Sequence, residues 1–219
     1  MTQPETEIRA AWRHIAGNHH DRYIDALLLR YAEPHRRYHT ATHVMFVLRH
    51  LSDLSQAAGI QLSHELIAAA LYHDAIYDPR VADNEALSAV LARRDLADIG
   101  WSVDGCGSVA ALIEATAGHL SDDDASGSTN GAEGTDRAML LDADLAILGA
   151  DPGAYQAYAN GVRAEYGHLD DDAWRAGRGA VLQRFLDHQR LFVTTYMYEA
   201  YEHRARGNIE AELAALGTE

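Results

Sequence analysis

A single cysteine, Cys106, in 219 residues leaves no internal disulfide possible, and no Cys-x-x-Cys pair is present to hold a structural zinc. That usage fits a reducing, cytoplasmic setting. Basic residues are also short: 18 Lys+Arg stand against 33 Asp+Glu, a formal net charge of −15. The surplus repels phosphate backbones and acidic membrane surfaces, which argues against a nucleic-acid polymer or a membrane as partner. It leaves room for a small anion held in a locally positive site. Long apolar runs are missing as well. The longest nearly pure one, Leu66 to Tyr72, falls far short of the ~20 residues that span a bilayer. Glu5, Glu7 and Arg9 occupy the first turns, where a secretory signal would carry a basic region and then an apolar one.

Proline is scarce too, with four residues at positions 4, 34, 79 and 152, each between one apolar-periodic segment and the next. Between them Val44, Val47, Leu48, Leu51 and Leu54 recur at helical steps, as do Val109, Leu112, Ile113 and Thr116, then Leu182, Phe185, Leu186 and Gln189. Sustained strand-type alternation is absent, so the spacing predicts an all-α, compact helical bundle. The expected helices are 4–17, 20–32, 40–58, 63–77, 83–98, 104–119, 136–148, 152–166, 171–188 and 190–216, the last open to division near Gly207. With 47% of residues hydrophobic, and roughly 70–75% of the unfolded surface buried at this length, one domain over 1–219 is expected. The segment 121–135 reads as a mobile surface loop, since its Asp, Ser, Gly and Asn residues cannot bury surface. Its Asp122, Asp123 and Asp124 lack the spacing of a twelve-residue calcium loop. No internal repeat is visible.

Thirteen His are present, and His35, His39, His43, His50, His64 and His73 crowd one short stretch. Helical spacing puts several ionisable residues on apolar faces. His73 lies seven after Leu66 and Asp74 seven after Ile67; Asp144 lies three after Leu141 and four before Leu148, whereas Asp142 falls toward the other side. His43 sits four before Val47, and His39 four before His43, so both imidazoles point to one side. A lone buried carboxylate costs several kcal/mol unless it is paired, protonated or given a metal. Two carboxylates with two or three imidazoles suit one divalent ion of Mn, Fe, Co, Ni, Zn or Mg. Singly, each residue has an ordinary reading: a hydrogen-bonded core His, or an Asp paired with Arg37 or Arg49.

The order His43, His73–Asp74, Asp144 resembles the signature of the HD superfamily of metal-dependent phosphohydrolases. The strings RRYHTATH (36–43), LYHDAIYDP (71–79), NEALSA (84–89), LLDADLAILG (140–149) and NIEAEL (208–213) resemble a bacterial subgroup of predicted HD phosphohydrolases across most of the chain. The resemblance implies an HD-type helical fold with one divalent metal on His43, His73, Asp74 and Asp144. It also implies hydrolysis, by metal-activated water, of a phosphoester or phosphoanhydride in a small phosphorylated metabolite such as a nucleotide.

One departure concerns the water. Many HD nucleotidases carry a Glu four residues after the signature His, and here that position is Tyr77, whose ordinary pKa near 10 makes a poor base. Asp78 and Glu85 are the substitute catalytic candidates, Asp78 preferred, with a simple turn residue before Pro79 as its other reading. Arg36 and Arg80 are the candidate phosphate contacts. His39 is open as a further ligand, a phosphate donor or a packed neighbour, and His119 as a pocket residue or a cap. Only His119 lies between the HD pair and Asp144, so the usual dinuclear set is incomplete. Arg163, Arg175 and Arg178 default to solvated surface, and Tyr155, Tyr158 and Tyr166 to packing. Two further readings stand beside the enzyme: a non-catalytic metal- and nucleotide-binding sensor, and a helical interaction protein. The C-terminal helices could close the bundle or pair in a homo-oligomer.

Overall fold

Helix starts follow from small polar side chains that accept the first unpaired backbone N–H groups. Thr2 and Glu5 form a reciprocal capping box on α1 (Gln3–Ala16), and Thr40, Ser63, Ser102, Asp151, Asp170 and Thr194 cap later helices. The computed structural model describes residues 2–118 and 132–217. Within them lie α2 (Asp21–Tyr31), α3 (Ala41–Ala58), α4 (His64–Tyr72), α5 (Asn84–Asp98), α6 (Val103–Thr116), α7 (Ala132–Leu145), α8 (Pro152–Glu165), α9 (Asp171–Asp187) and α10 (Thr195–Leu216). The fold is all-α, with no strand among the described residues, and no described helix is long and apolar enough to cross a membrane. His119 and most of the segment 121–135 lie outside the described residues; 132–135 already belong to α7.

The centre of the core is α4, buried on every side from Leu66 to Tyr72. A helix apolar all round must be enclosed, and α1, α3, α5, α6 and α7 pack around it. A 3-10 turn, Ala146–Gly149, continues from α7 and is clamped by α8 and α10. Any Cβ at Gly149 would sit 2.7 Å from the Cβ of Tyr201 and 2.9 Å from its carbonyl oxygen, so that crossing requires glycine.

Three expectations are corrected here. The 63–77 helix ends at Tyr72, because the carbonyls of Asp74 and Ala75 are taken by the Arg36 guanidinium instead of by later N–H groups. The last helix starts at Thr195 and runs unbroken through Gly207. Before it, Glu202 accepts the N–H groups of Leu191 and Phe192, and Asp142 accepts those of Val193 and Thr194, holding 191–194 out of the helix. Asp142 itself, expected on the outer side of α7, is 1% exposed. Its carboxylate also takes the Thr194 hydroxyl at 2.6 Å, so α10, not solvent, is its partner.

Candidate metal centre

Three helix ends meet at one point. His43 lies in the first turn of α3, His73 at the C-cap of α4 with Asp74 next to it, and Asp144 in the last turn of α7. The carbonyl-rich C-terminal ends of α4 and α7 carry partial negative charge and favour a cation between them. His43 and His73 are buried, and the Asp74 and Asp144 side chains keep 16% and 13% of their exposure.

The donor atoms are close. His43 Nε2 is 3.0 Å from His73 Nε2, 3.0 Å from Asp144 Oδ1 and 3.3 Å from Asp74 Oδ2. His73 Nε2 is 3.2 Å from Asp74 Oδ2 and 3.5 Å from Asp144 Oδ1. Ligands about 2.1 Å from one ion stand about 3.0 Å apart at right angles and about 3.4 Å apart at the tetrahedral angle. These separations therefore match the edges of a single coordination shell. His43, His73 and Asp144 form a group able to hold a metal ion, and Asp74 Oδ2 lies 3.3 Å from His43 Nε2 and 3.2 Å from His73 Nε2.

Hydrogen bonding sets the tautomer of His73. Its Nδ1 is 3.0 Å from the Ala70 carbonyl, which only accepts, so the ring proton sits on Nδ1 and the Nε2 lone pair turns toward the carboxylates. Such a lone pair facing two carboxylates is repulsive unless a positive charge intervenes. Burial pushes both imidazoles toward neutrality, but the hydrogen bonds and charges of Asp74 and Asp144 outweigh it: His43 is raised and His73 well above the ordinary range. Burial would likewise raise the Asp74 carboxyl, yet the charge of His73 and the hydrogen bonds from His43 and His73 hold it well below. Protons or a divalent ion satisfy the same charge demand.

Around this centre the loop 34–40 is organised by a residue that the sequence reading missed, Glu165, at the end of α8. Its Oε1 accepts the consecutive N–H groups of Arg37, Tyr38 and His39 at 2.7, 2.8 and 3.0 Å, a backbone nest of the kind that binds anions. Its Oε2 accepts from His39 Nδ1 at 2.7 Å and from the Tyr77 hydroxyl at 2.9 Å. Burial works to raise this carboxyl, but the His39 contact and the backbone donors hold it down at about 2. A signal was present: Glu165 follows Tyr155, Ala159 and Val162, the buried stripe of α8, at helical spacing.

The other candidates separate. Arg36 is buried, and its guanidinium bonds to Glu33, to the carbonyls of His39 and Asp74, and to that of Ala75. It holds the loop and the α4 terminus together, so its donors are spent on backbone, not left for phosphate. Asp78 Oδ1 accepts the Arg80 N–H at 3.0 Å, closing a turn that Asn84 and Ser88 also clasp. Arg80 is exposed, and Glu85 lies in the first turn of α5. Neither Asp78 nor Glu85 bonds to the donor cluster among the described residues. Arg178 is buried against Glu212, Arg163 pairs with Asp171 and Arg175 with Asp172.

A cleft of about 730 Å³ opens on His43 and Asp144. Its walls include Phe46, His50, Tyr158 and Tyr201, with Arg37 and Arg204 among the lining cations. Tyr158 also packs edge-on against Tyr38, 4.7 Å between ring centroids, and the Tyr38 ring centroid lies 4.9 Å from that of His43, so the aromatic wall is continuous with His43. These wall residues come from α3, α8 and α10, a convergence with no local sequence signature. No family model, curated protein or solved structure matches the chain.

Proposed function

We propose that this protein is a metal-dependent hydrolase of a small phosphorylated compound. The observation that carries the reading is the group His43, His73 and Asp144, spaced to hold one ion, with Asp74 beside both imidazoles and with His43 and Asp144 lining a cleft large enough for a drug-sized molecule. His43, His73, Asp74 and Asp144 would hold the ion. Once bound, a divalent ion lowers the pKa of water and neutralises charge developing on phosphoryl oxygens. Arg37 and Arg204 supply positive charge on the cleft wall, and Tyr158, Tyr201 and Phe46 offer faces for a ring-bearing leaving group such as a nucleoside. The HD-type order of the donors supports the same chemistry. In the overall step a water oxygen bonds to phosphorus and the bond from phosphorus to the leaving oxygen breaks; that oxygen leaves with the electron pair and takes a proton.

The test is elemental analysis followed by a phosphate-release screen over nucleotide mono-, di- and triphosphates and cyclic dinucleotides with Mn²⁺, Co²⁺, Ni²⁺ and Mg²⁺. Turnover that disappears together with the metal in His73→Ala and Asp74→Ala is expected. Phosphate release persisting in the metal-free double variant would sink the reading. A second reading, a metal-anchored nucleotide sensor, is favoured by one observation: Tyr77, not Glu, follows the signature His by four residues, and its hydroxyl is committed to Glu165. A nucleotide that raises the melting temperature and is recovered intact selects the sensor.

A further inference from the structure

The carboxylate absent from position 77 is present in space, contributed by another helix. Glu165 Oε2 receives both the Tyr77 hydroxyl and His39 Nδ1. An ionised carboxylate only accepts, so Nδ1 of His39 carries a proton, and in the neutral imidazole the lone pair is on Nε2. No hydrogen bond to that Nε2 occurs among the described residues, and the His39 side chain keeps 21% of its exposure while that of Glu165 keeps none. Tyr77 stacks on the imidazole with ring centroids 4.2 Å apart, fixing its plane, and the ring stands edge to face with His43 at 5.8 Å. The imidazole is thus held beside the donor cluster by three constraints, with one nitrogen unspent. Asp78, by contrast, has its carboxylate engaged in its own turn.

We propose that His39 is a catalytic residue that accepts a hydrogen bond from the attacking water through Nε2, and that Glu165 is the positioning residue that holds it in this tautomer. The proposal rests on the hydrolytic reading above. His39 turns an oxygen lone pair of the water toward phosphorus while the leaving bond breaks on the far side; Glu165 acts only through His39.

The experiment compares Glu165→Gln, His39→Ala and the double variant in metal content, kcat and KM on whichever compound the screen identifies. The His39 tautomer is read separately by long-range ¹H–¹⁵N NMR, with and without metal. The amide of Glu165→Gln turns a donor toward His39 and forces the proton to Nε2. Expected are unchanged metal content, kcat lower by about 10²–10³-fold with KM nearly constant, and a double variant no worse than His39→Ala. The Nδ1-protonated form is expected in the wild type and the Nε2-protonated form in Glu165→Gln. His39→Ala removes no buried charge and keeps the kinetic arm decisive if Glu165→Gln does not fold. Wild-type kcat in His39→Ala, additive losses, or Nε2–H in the wild type overturn the proposal. Loss of metal in His39→Ala also overturns it, making His39 a ligand. A wild-type protein that releases no phosphate from any compound refutes the hydrolytic reading and the water's role with it, while the NMR arm judges the Glu165–His39 pairing independently.

Discussion

Replacing Glu165 by Ala removes five hydrogen bonds at once, three from consecutive backbone N–H groups and two from side chains. Bonds to a charged group contribute about 1.5–3 kcal/mol each, but water entering the vacated space re-satisfies part of the nest, so the expected loss is about 3–5 kcal/mol. The carboxyl group gives an independent handle. Its ordinary pKa of 4.5 is held down at about 2 in the folded protein, because the His39 and backbone contacts exceed the opposing effect of burial. A depressed carboxylate contributes stability that is complete above the unfolded value and lost as pH falls through the folded one. The interval corresponds to on the order of 3 kcal/mol. Urea unfolding of metal-free wild type and Glu165→Ala should therefore show a wide gap at pH 7 that narrows between about pH 4.5 and 2. A gap below about 1 kcal/mol at pH 7, or one that widens on acidification, would refute the assignment of Glu165 as the organiser of the loop.

A divalent ion at a hundred times its dissociation constant should add about 2.7 kcal/mol, or about 5–11 °C in melting temperature for a chain of this size. That shift should vanish in Asp144→Asn; a shift that persists there would remove Asp144 from the ligand set. Arg36→Ala strips the hydrogen bonds from the carbonyls of His39, Asp74 and Ala75, so denaturant titration should show about 3–5 kcal/mol lost and metal affinity about 10–100-fold weaker. Wild-type affinity would mean that the α4 terminus holds Asp74 unaided. Gly149→Ala forces a Cβ to within 2.7 Å of the Tyr201 side chain and should cost about 1–3 kcal/mol in calorimetry, with a neutral outcome contradicting the tight crossing. Asp142→Ala should cost about 2 kcal/mol through the lost start of α10 while metal content stays at wild type, which separates this buried carboxylate from the role proposed for Asp144.

The helical periodicity in α3 and α6 carried straight into the fold, since Val44, Val47, Leu51 and Leu54 are buried, as are Val109, Leu112, Ile113 and Thr116. The donor cluster was legible for the same reason: His43, His73 and Asp144 interrupt apolar stripes, and a buried polar group needs a partner. The same test applied to α8 would have exposed Glu165. It failed for Asp142, because a helical face says only where a residue points, and the chain before α10 happens to cover that side with unpaired N–H groups. Arg36 was misread because adjacency to His39 suggested an anion contact, whereas its partners are carbonyls 38 and 39 positions away.

Sequence by itself determined the all-α class of fold and singled out His43, His73 and Asp144, the group able to hold a metal ion. Each depends on neighbours within one or two turns: the spacing of apolar residues and a charge on a buried stripe. Tertiary structure decided which charged groups serve the site and which serve the scaffold. It spent Arg36 on backbone, set Glu165 behind His39 and walled the cleft with Tyr158 and Tyr201. Those outcomes turn on which donors and acceptors distant helices bring within about 3 Å of each other, a distance that spacing along one chain does not encode.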